Sequence, residues 1–457
     1  MSVATPVRMD ALRSRGVLRD YFGPGCEPIE HWPPERVRAY QTEAFSELLE
    51  HVVANSPFYR RKFEAAGIAP ADFRTLEDLS RFPFTTKDEL RGDPWILLSV
   101  PRHEVALAHT STGTTGGAWS YILYSRDDMY VRDIAPFLHV LMPVSSSDVV
   151  INALPYEMSS SGQSFQRSLQ EAAGAMVVPV GKGGFYSEPY KTVQIMADLE
   201  ATVLITTPPY AMLLWEIARE KGMLPGKDLK LRFMWLTGEG CSPAYRRRLE
   251  EQWGCPGPIF YGSMECGSIG IECAEGTGLH VCEGHVILEI VDPVTGHPLP
   301  AGEMGEVVCT VLQRRASPLI RYRTQDLGFR SDAPCACGVR LPKLQIRGRI
   351  ADQVAPAEDK APAVSPYQIE QALYSQPEMG NNYQIYTSPS GLLIEAEGGS
   401  DEARARILES LARQGIAAEL RWVEHVPRTF GKTRRIRPLS DRDRVMQTPS
   451  LLRRGEP

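Results

Sequence analysis

The sequence predicts an α/β protein. It expects a large N-terminal domain of mixed, mainly parallel sheets with helices and a small antiparallel element, then a small α+β C-terminal domain. Three observations lead there. Apolar, β-rich segments (DVVINAL, AMVVPV, ATVLITT and LRFMWLTGEG) alternate with helical stretches, the signature of βαβ units. From His280 to Val311 the pattern switches to HVILEIVDPVTGHPLPAGEMGEVVCTVL, which reads as a hairpin. Beyond Gln353 a compact helix–strand–strand–helix–strand succession appears.

The elements follow in order. Residues 35–65 place Phe45, Leu48, Leu49, Val52 and Val53 at helical spacing, and Pro57 and Gly67 divide that run into short helices. A short-strand segment, HEVALAHTSTGTTGGAWSYILYS, follows. A domain boundary falls near Gly348–Gln353, giving domains 1–347 and 348–457. Residues 354–366, VAPAEDKAPAVSP, are rich in Ala, Pro and charge. The C-terminal segments are helix YQIEQALYS, strands NYQIYTS and GLLIEAEG, helix DEARARILESLARQG, strand AELRWVEHV and a basic tail, GKTRRIRPL.

Composition narrows the function. The chain has 457 residues, 43% of them hydrophobic, enough for two or more buried cores. A formal charge of −6 argues against nucleic acid as a partner. The N-terminus lacks the apolar core of a secretory signal, and no run approaches a membrane span. A cytoplasmic protein is expected, with its nine cysteines as free thiols or metal ligands.

Four motifs carry chemistry. Ser111-Thr112-Gly113-Thr114-Thr115-Gly116-Gly117 follows a strand-like run. Glycines let the backbone bend tightly and bring amides to phosphate oxygens, and the hydroxyls add donors. No Gly-Lys-Ser/Thr follows, so it is not a Walker loop. An ordinary turn is the plainer reading of such a run alone. Tyr261-Gly262-Ser263-Met264-Glu265, Tyr322-Arg323-Thr324-Gln325-Asp326-Leu327 and Gly348-Arg349-Ile350-Ala351-Asp352-Gln353 lie downstream. Each alone reads as a turn, a charge cluster or a linker; together, in this order, they are not a chance set.

With these motifs the chain resembles the phenylacetate–coenzyme A ligase-like branch of the adenylate-forming enzymes. The resemblance spans nearly all of it, including SPFYRRKFEAAGI…FPFTTKDELR and Gly431-Lys432-Thr433-Arg434-Arg435. It implies ATP- and magnesium-dependent activation of a carboxylic acid as an acyl-adenylate, with pyrophosphate released and the acyl group passed to coenzyme A. It further implies that Thr112, Thr114 and Thr115 hold the β- and γ-phosphates, with Gly113 and Gly116 permitting the loop. Tyr261 and Gly262 would border the adenine, and Glu239 of TGEG would sit beside the nucleotide and acyl pocket. Glu265 would ligate magnesium, Asp326 the ribose hydroxyls, and Arg349 ribose or phosphate. Lys432 would reach the acyl carboxylate and the α-phosphate; a solvated basic tail is its plainer reading. A mobile C-terminal domain and a homodimer are expected on the same ground.

The chemistry suits such a set. A carboxylate attacking an α-phosphate meets like-charge repulsion, which magnesium and a lysine relieve. Pyrophosphate is a good leaving group, so positioning and electrostatics carry the step.

The sequence departs from the family pattern at Met264, where Thr is usual, and at Ala351, where the hinge usually has a first Asp. The stretch beyond the hinge has no glycine. These departures leave open a direct passage of the adenylate to an amine or other nucleophile, and a non-catalytic nucleotide-binding relative.

Cys335 and Cys337, with Cys273 and His280 upstream, offer four ligands from two segments that suit a structural tetrahedral zinc; Cys282 and His285 are alternates. Four unrelated, partly buried thiols and a surface His are the plainer reading. Related members pair a similar Cys-x6-His stretch with a Cys-x-Cys-Gly turn. Tyr156, Phe165, Tyr210 and Trp235 are candidate walls of an acyl pocket, which suits a flat aromatic acid; core packing accounts for any one of them equally. The Ser159–Ser164 run either hydrogen-bonds a ring substituent or is a loop.

Overall fold

The computed structural model describes residues 17–22, 25–111, 118–133, 141–184, 186–353, 364–388, 391–428 and 433–447. Packing divides the chain into two compact units, each discontinuous: Met1–Pro179 with Pro258–Ile346, and Val180–Gly257 with Arg347–Pro457. Among the described residues, no helix is long and apolar enough to cross a membrane.

In the first unit, helix Pro34–Asn55 buries Val37, Tyr40, Gln41, Ala44, Phe45, Leu48, Leu49 and Val52, the i, i+3, i+4 stripe expected of an amphipathic helix. Ser56 caps the next helix, Pro57–Ala66, which ends on Gly67 at φ 65°. Pro57 thus starts a helix, where its missing N–H costs nothing. The main sheet of this unit runs, in bonding order, Val286–Val291, Gly305–Val311, Leu319–Ser331, Lys343–Arg349, Leu279–Val281, Gly267–Glu272 and Ile259–Ser263. The expected hairpin is its edge: Val286 faces Val311, and Val291 faces Glu306. The antiparallel part is therefore larger than the sequence pattern suggests. Short strands such as Leu279–Val281 carry too few residues to show a period of two. Val149–Asn152 and Met176–Val178 pair in parallel, as βαβ units require. A separate two-stranded sheet joins Val105–Thr110 to Tyr121–Ser125, antiparallel.

In the second unit, Val203–Thr206 and Phe233–Thr237 pair in parallel, and every residue of both is buried. Helices Pro189–Asp198, Pro208–Glu220 and Pro243–Trp253 belong to this part. The C-terminal residues form a four-stranded sheet in the order Ala418–Val423, Gly391–Gly398, Met379–Ser388, Ile436–Pro438, with helices Pro366–Tyr374 and Asp401–Ala412. The last strand corrects the sequence reading. What reads as a basic tail supplies Ile436–Pro438, parallel to Met379–Ser388. Arg435 beside it stacks on Tyr383 at 4.2 Å and hydrogen-bonds Asn382 Oδ1 and the Tyr383 carbonyl. The two parts of the unit interlock. Glu370 accepts the Ser242 N–H at 2.7 Å, Gln371 accepts that of Ala244 at 2.9 Å, and the rings of Tyr245 and Tyr374 stack at 4.3 Å.

Candidate active site

The phosphate-loop residues Thr112, Gly113, Thr114, Thr115 and Gly116 lie outside the described residues, as does Lys432. The loop's ends are described. The Ser111 N–H donates to the Ser120 carbonyl at 3.0 Å, and the Ser120 N–H donates to Ser111 Oγ at 3.1 Å. This pair continues the antiparallel ladder from Thr110 and Tyr121.

The first unit brings together two motifs 65 residues apart: the Tyr261 hydroxyl donates to Asp326 Oδ2 at 2.6 Å. Burial and the neighbouring carboxylate push the Tyr261 phenol well above its usual pKa, so it stays a donor. The backbone aims both residues. Gln325 adopts φ 63°, and its N–H is taken by Glu306 at 3.1 Å. A left-handed residue inside a strand costs of order 1 kcal/mol and redirects its successor, here Asp326. Gly262 has its own reason: a Cβ there would lie 2.5 Å from the Gly267 carbonyl oxygen. Only glycine lets the strands Ile259–Ser263 and Gly267–Glu272 close at this turn.

Glu265 sits on that turn and is 7% exposed. Arg314, itself buried, reaches three acceptors: the Glu265 carbonyl at 2.6 Å, the Ser317 carbonyl at 2.6 Å and the Tyr124 hydroxyl at 3.1 Å. Lys87 Nζ lies 3.3 Å from Glu265 Oε1 and supplies the countercharge that a nearly buried carboxylate needs. The sequence reading missed both roles. Lys87 had a visible signal, since it belongs to the FPFTTKDELR stretch; Arg314 had none.

Of the four proposed wall residues, Phe165 meets Phe260, next to Tyr261, edge-on at 4.8 Å. Tyr156 is fixed by Asn152, whose Nδ2 donates to its hydroxyl and to the Gly162 carbonyl, both at 2.8 Å. Gly162 presses on the Tyr156 ring; a Cβ there would meet it at 2.8 Å. The serine run is not a loop throughout. Ser161–Arg167 is helical, and Ser164 Oγ donates to Asp133 at 2.7 Å. Tyr210 and Trp235 belong to the second unit. Trp235 is wholly enclosed (0% exposed) and packs against Phe233 at 5.2 Å, as a core residue does. Tyr210 lines a small cleft of about 50 Å³ together with Lys182, Tyr245, Tyr383, Thr433 and Arg435.

Glu239 lies in the second unit and accepts from Lys182 Nζ at 2.6 Å and from the Thr433 N–H at 3.0 Å. Burial would raise its pKa, but Lys182 and the Thr433 amide outweigh that and hold it below the usual carboxylate range. Lys182, in Gly181-Lys182-Gly183-Gly184, was also missed; a lysine set among glycines was its signal. Gly348 takes φ 111°, and Arg349 ends the strand Lys343–Arg349. Residues 354–363 lie outside the described ones.

All nine cysteines are free. The ligand atoms of Cys273, His280, Cys335 and Cys337 lie within 4.8 Å of one another. Cys273 Sγ is 3.6 Å from Cys335 Sγ, and Cys337 Sγ is 3.4 Å from His280 Nε2. Tetrahedral zinc with thiolate and imidazole ligands sets its donors about 3.4–3.8 Å apart, so the cluster has the dimensions of a zinc site. His280 Nδ1 lies 3.0 Å from the Leu341 carbonyl, which turns Nε2 toward the sulfurs, as a supporting shell should. Cys282 and His285 are not in the cluster.

The family described as AMP-binding enzyme matches residues 100–311, which include the strand–turn–strand that bears Glu265. The chain is 36% identical over 375 residues to a phenylacetate-coenzyme A ligase of Thermus thermophilus, covering 81% of this chain and 82% of that one. It is 31% identical over 434 residues to one of Escherichia coli, covering 90% and 96%. It belongs to the phenylacetate–coenzyme A ligase-like branch of the adenylate-forming enzymes and is an AMP-forming acid ligase. The fold is shared with a 2-hydroxyisobutyryl-CoA ligase solved in the postadenylation state with 2-HIB-AMP: TM-score 0.82, 24% identity, 93% and 95% coverage.

Proposed function

We propose that the protein activates an aromatic carboxylic acid of the phenylacetate class with ATP and passes the acyl group to coenzyme A. The Tyr261–Asp326 hydrogen bond carries the reading. It joins two motifs at one point, pairing the residue that would border adenine with the residue that would meet the ribose hydroxyls. Gly262 and Arg349 complete the nucleotide side, and the Ser111–Gly117 loop takes the β- and γ-phosphates. Glu265, a nearly buried carboxylate on the strand–turn–strand, would hold magnesium in exchange for its Lys87 partner, and there the metal would neutralise triphosphate charge. Lys432 reaches the reacting carboxylate and α-phosphate, and Glu239 seats its neighbour Thr433.

The aromatic class is supported by the Phe165–Phe260 pair and by the Asn152-locked Tyr156. Such edges and faces favour a flat ring. Tyr210 is a further wall candidate. Residues 348–457 act as the mobile domain that changes place between the two half-reactions, in a cytoplasmic enzyme that forms a homodimer. A structural zinc on Cys273, His280, Cys335 and Cys337 staples the strand Leu279–Val281 to the 335–341 turn.

Mass spectrometry of enzyme, ATP and a panel of aryl and alkyl acids, with and without coenzyme A, tests the reading. An aryl-adenylate without coenzyme A and a thioester with it are expected. No acid-dependent pyrophosphate release with any acid would overturn it.

A further inference from the structure

The described residues on either side of Lys432 in the sequence, Arg428 and Thr433, are both bound by carboxylates of the same unit. Downstream of Lys432, the Thr433 N–H is bound by Glu239. Upstream, Arg428 is 8% exposed, and both its terminal nitrogens are engaged. Nη1 donates to Glu397 Oε1 at 2.9 Å and to the Val426 carbonyl at 3.2 Å. Nη2 donates to Glu397 Oε2 at 3.1 Å and to Glu216. Glu397 also takes the Val426 N–H at 2.8 Å and lies 3.5 Å from His425 Nδ1. Glu397 belongs to the strand Gly391–Gly398, next to the loop's own strand neighbours. Glu216 does not: it comes from helix Pro208–Glu220, near Glu239 in neither sequence nor element. Two carboxylates on one buried guanidinium is a costly arrangement, and stability alone would favour apolar packing.

We propose that Glu216 is a positioning residue for adenylation, fixing the guanidinium of Arg428, four residues before Lys432 in the sequence. This rests on the acid-activating reading above. Glu216 acts through Arg428 upstream of Lys432, as Glu239 acts through the Thr433 amide downstream. The pair needs an ionised Glu216. Burial raises that carboxyl to about 7, with Arg428 pulling it down and Glu397 pushing it up; Asn381 is its neutral partner. The charged groups facing it are Arg428 and Glu397, with His425 behind Glu397. Above neutrality the latch is therefore set, and in mild acid it loosens.

The test separates the half-reactions. Acid-dependent ATP–pyrophosphate exchange and acyl transfer from preformed aryl-adenylate to coenzyme A are measured for wild type, Glu216→Gln and Glu216→Asp. In Glu216→Gln, kcat for exchange should fall about tenfold or more with KM for ATP within about twofold, because a positioning contact acts on the reacting geometry. Acyl transfer should stay within about twofold. The acid limb of the wild-type exchange profile, near pH 7, should disappear in Glu216→Gln, and Glu216→Asp should retain it. Unchanged exchange, or equal losses in both half-reactions, would overturn the inference. A wild type inactive with every acid would instead remove the reading beneath it.

Discussion

Tyr261 and Asp326 are joined by a 2.6 Å hydrogen bond from phenol to carboxylate, so the residue proposed to border adenine also orients the residue proposed to meet ribose. In Tyr261→Phe the ring is kept and this bond is lost. A hydrogen bond to a charged group is worth roughly 1.5–3 kcal/mol. KM for ATP should rise about tenfold or more, with smaller change in KM for the acid; steady-state kinetics in both substrates check it.

Lys432→Ala removes the charge proposed to meet the attacking carboxylate. Adenylation should fall by about two to three orders of magnitude. ATP binding, measured by calorimetry, should stay within a few-fold. Full adenylation activity would exclude the assigned role.

Gly262→Ala tests the turn beneath Glu265. The added methyl would lie 2.5 Å from a backbone oxygen, which cannot move without shifting the hairpin. A loss of roughly 1–3 kcal/mol in stability is expected, with adenylation reduced further because Glu265 moves. Thermal unfolding and pyrophosphate release measure the two effects.

Cys337→Ser should remove stoichiometric zinc, read by inductively coupled plasma mass spectrometry on unstripped protein. The apparent Tm should drop by roughly 5 °C or more. Wild-type protein without bound zinc would refute the site.

Glu283 gives a pH dependence. Burial raises its carboxyl to about 7, against the pull of Arg330. The folded pKa lies above the unfolded one, near 4.5, so its stabilising contribution is complete below about pH 4.5 and is lost as pH rises through 7. Glu283→Gln should therefore be more stable than wild type at pH 8, by at most about 3 kcal/mol. The difference should shrink toward pH 5, as urea denaturation at the two pH values would show.

Much of this was legible in the sequence because it rests on local rules. Pro57 and Gly67 bound a helix by their backbone chemistry, and the apolar runs 149–152, 203–206 and 233–237 are strands because both faces are buried. That Cys273, His280, Cys335 and Cys337 come together was readable because metal chemistry restricts residue type and number. What escaped depends on non-local partners. Arg435 reads as one more charge in a basic run; its burial follows from Asn382 and Tyr383, more than 50 residues away. Lys182 gains meaning from Glu239, and Arg314 from Tyr124 and Glu265. Trp235 shows the converse: an aromatic residue in a β-rich run looks alike whether it lines a pocket or fills a core, and only its complete burial sets it in the core.

The reciprocal bonds between Ser111 and Ser120 bear on how this gene can change. They tie the two strands where the ladder ends, one step beyond Thr110 and Tyr121. Losing the Ser111 hydroxyl removes one of the two ties and leaves the register in place. Variation at position 111 should therefore favour side chains that can accept the Ser120 amide, such as Thr, Asn or Asp.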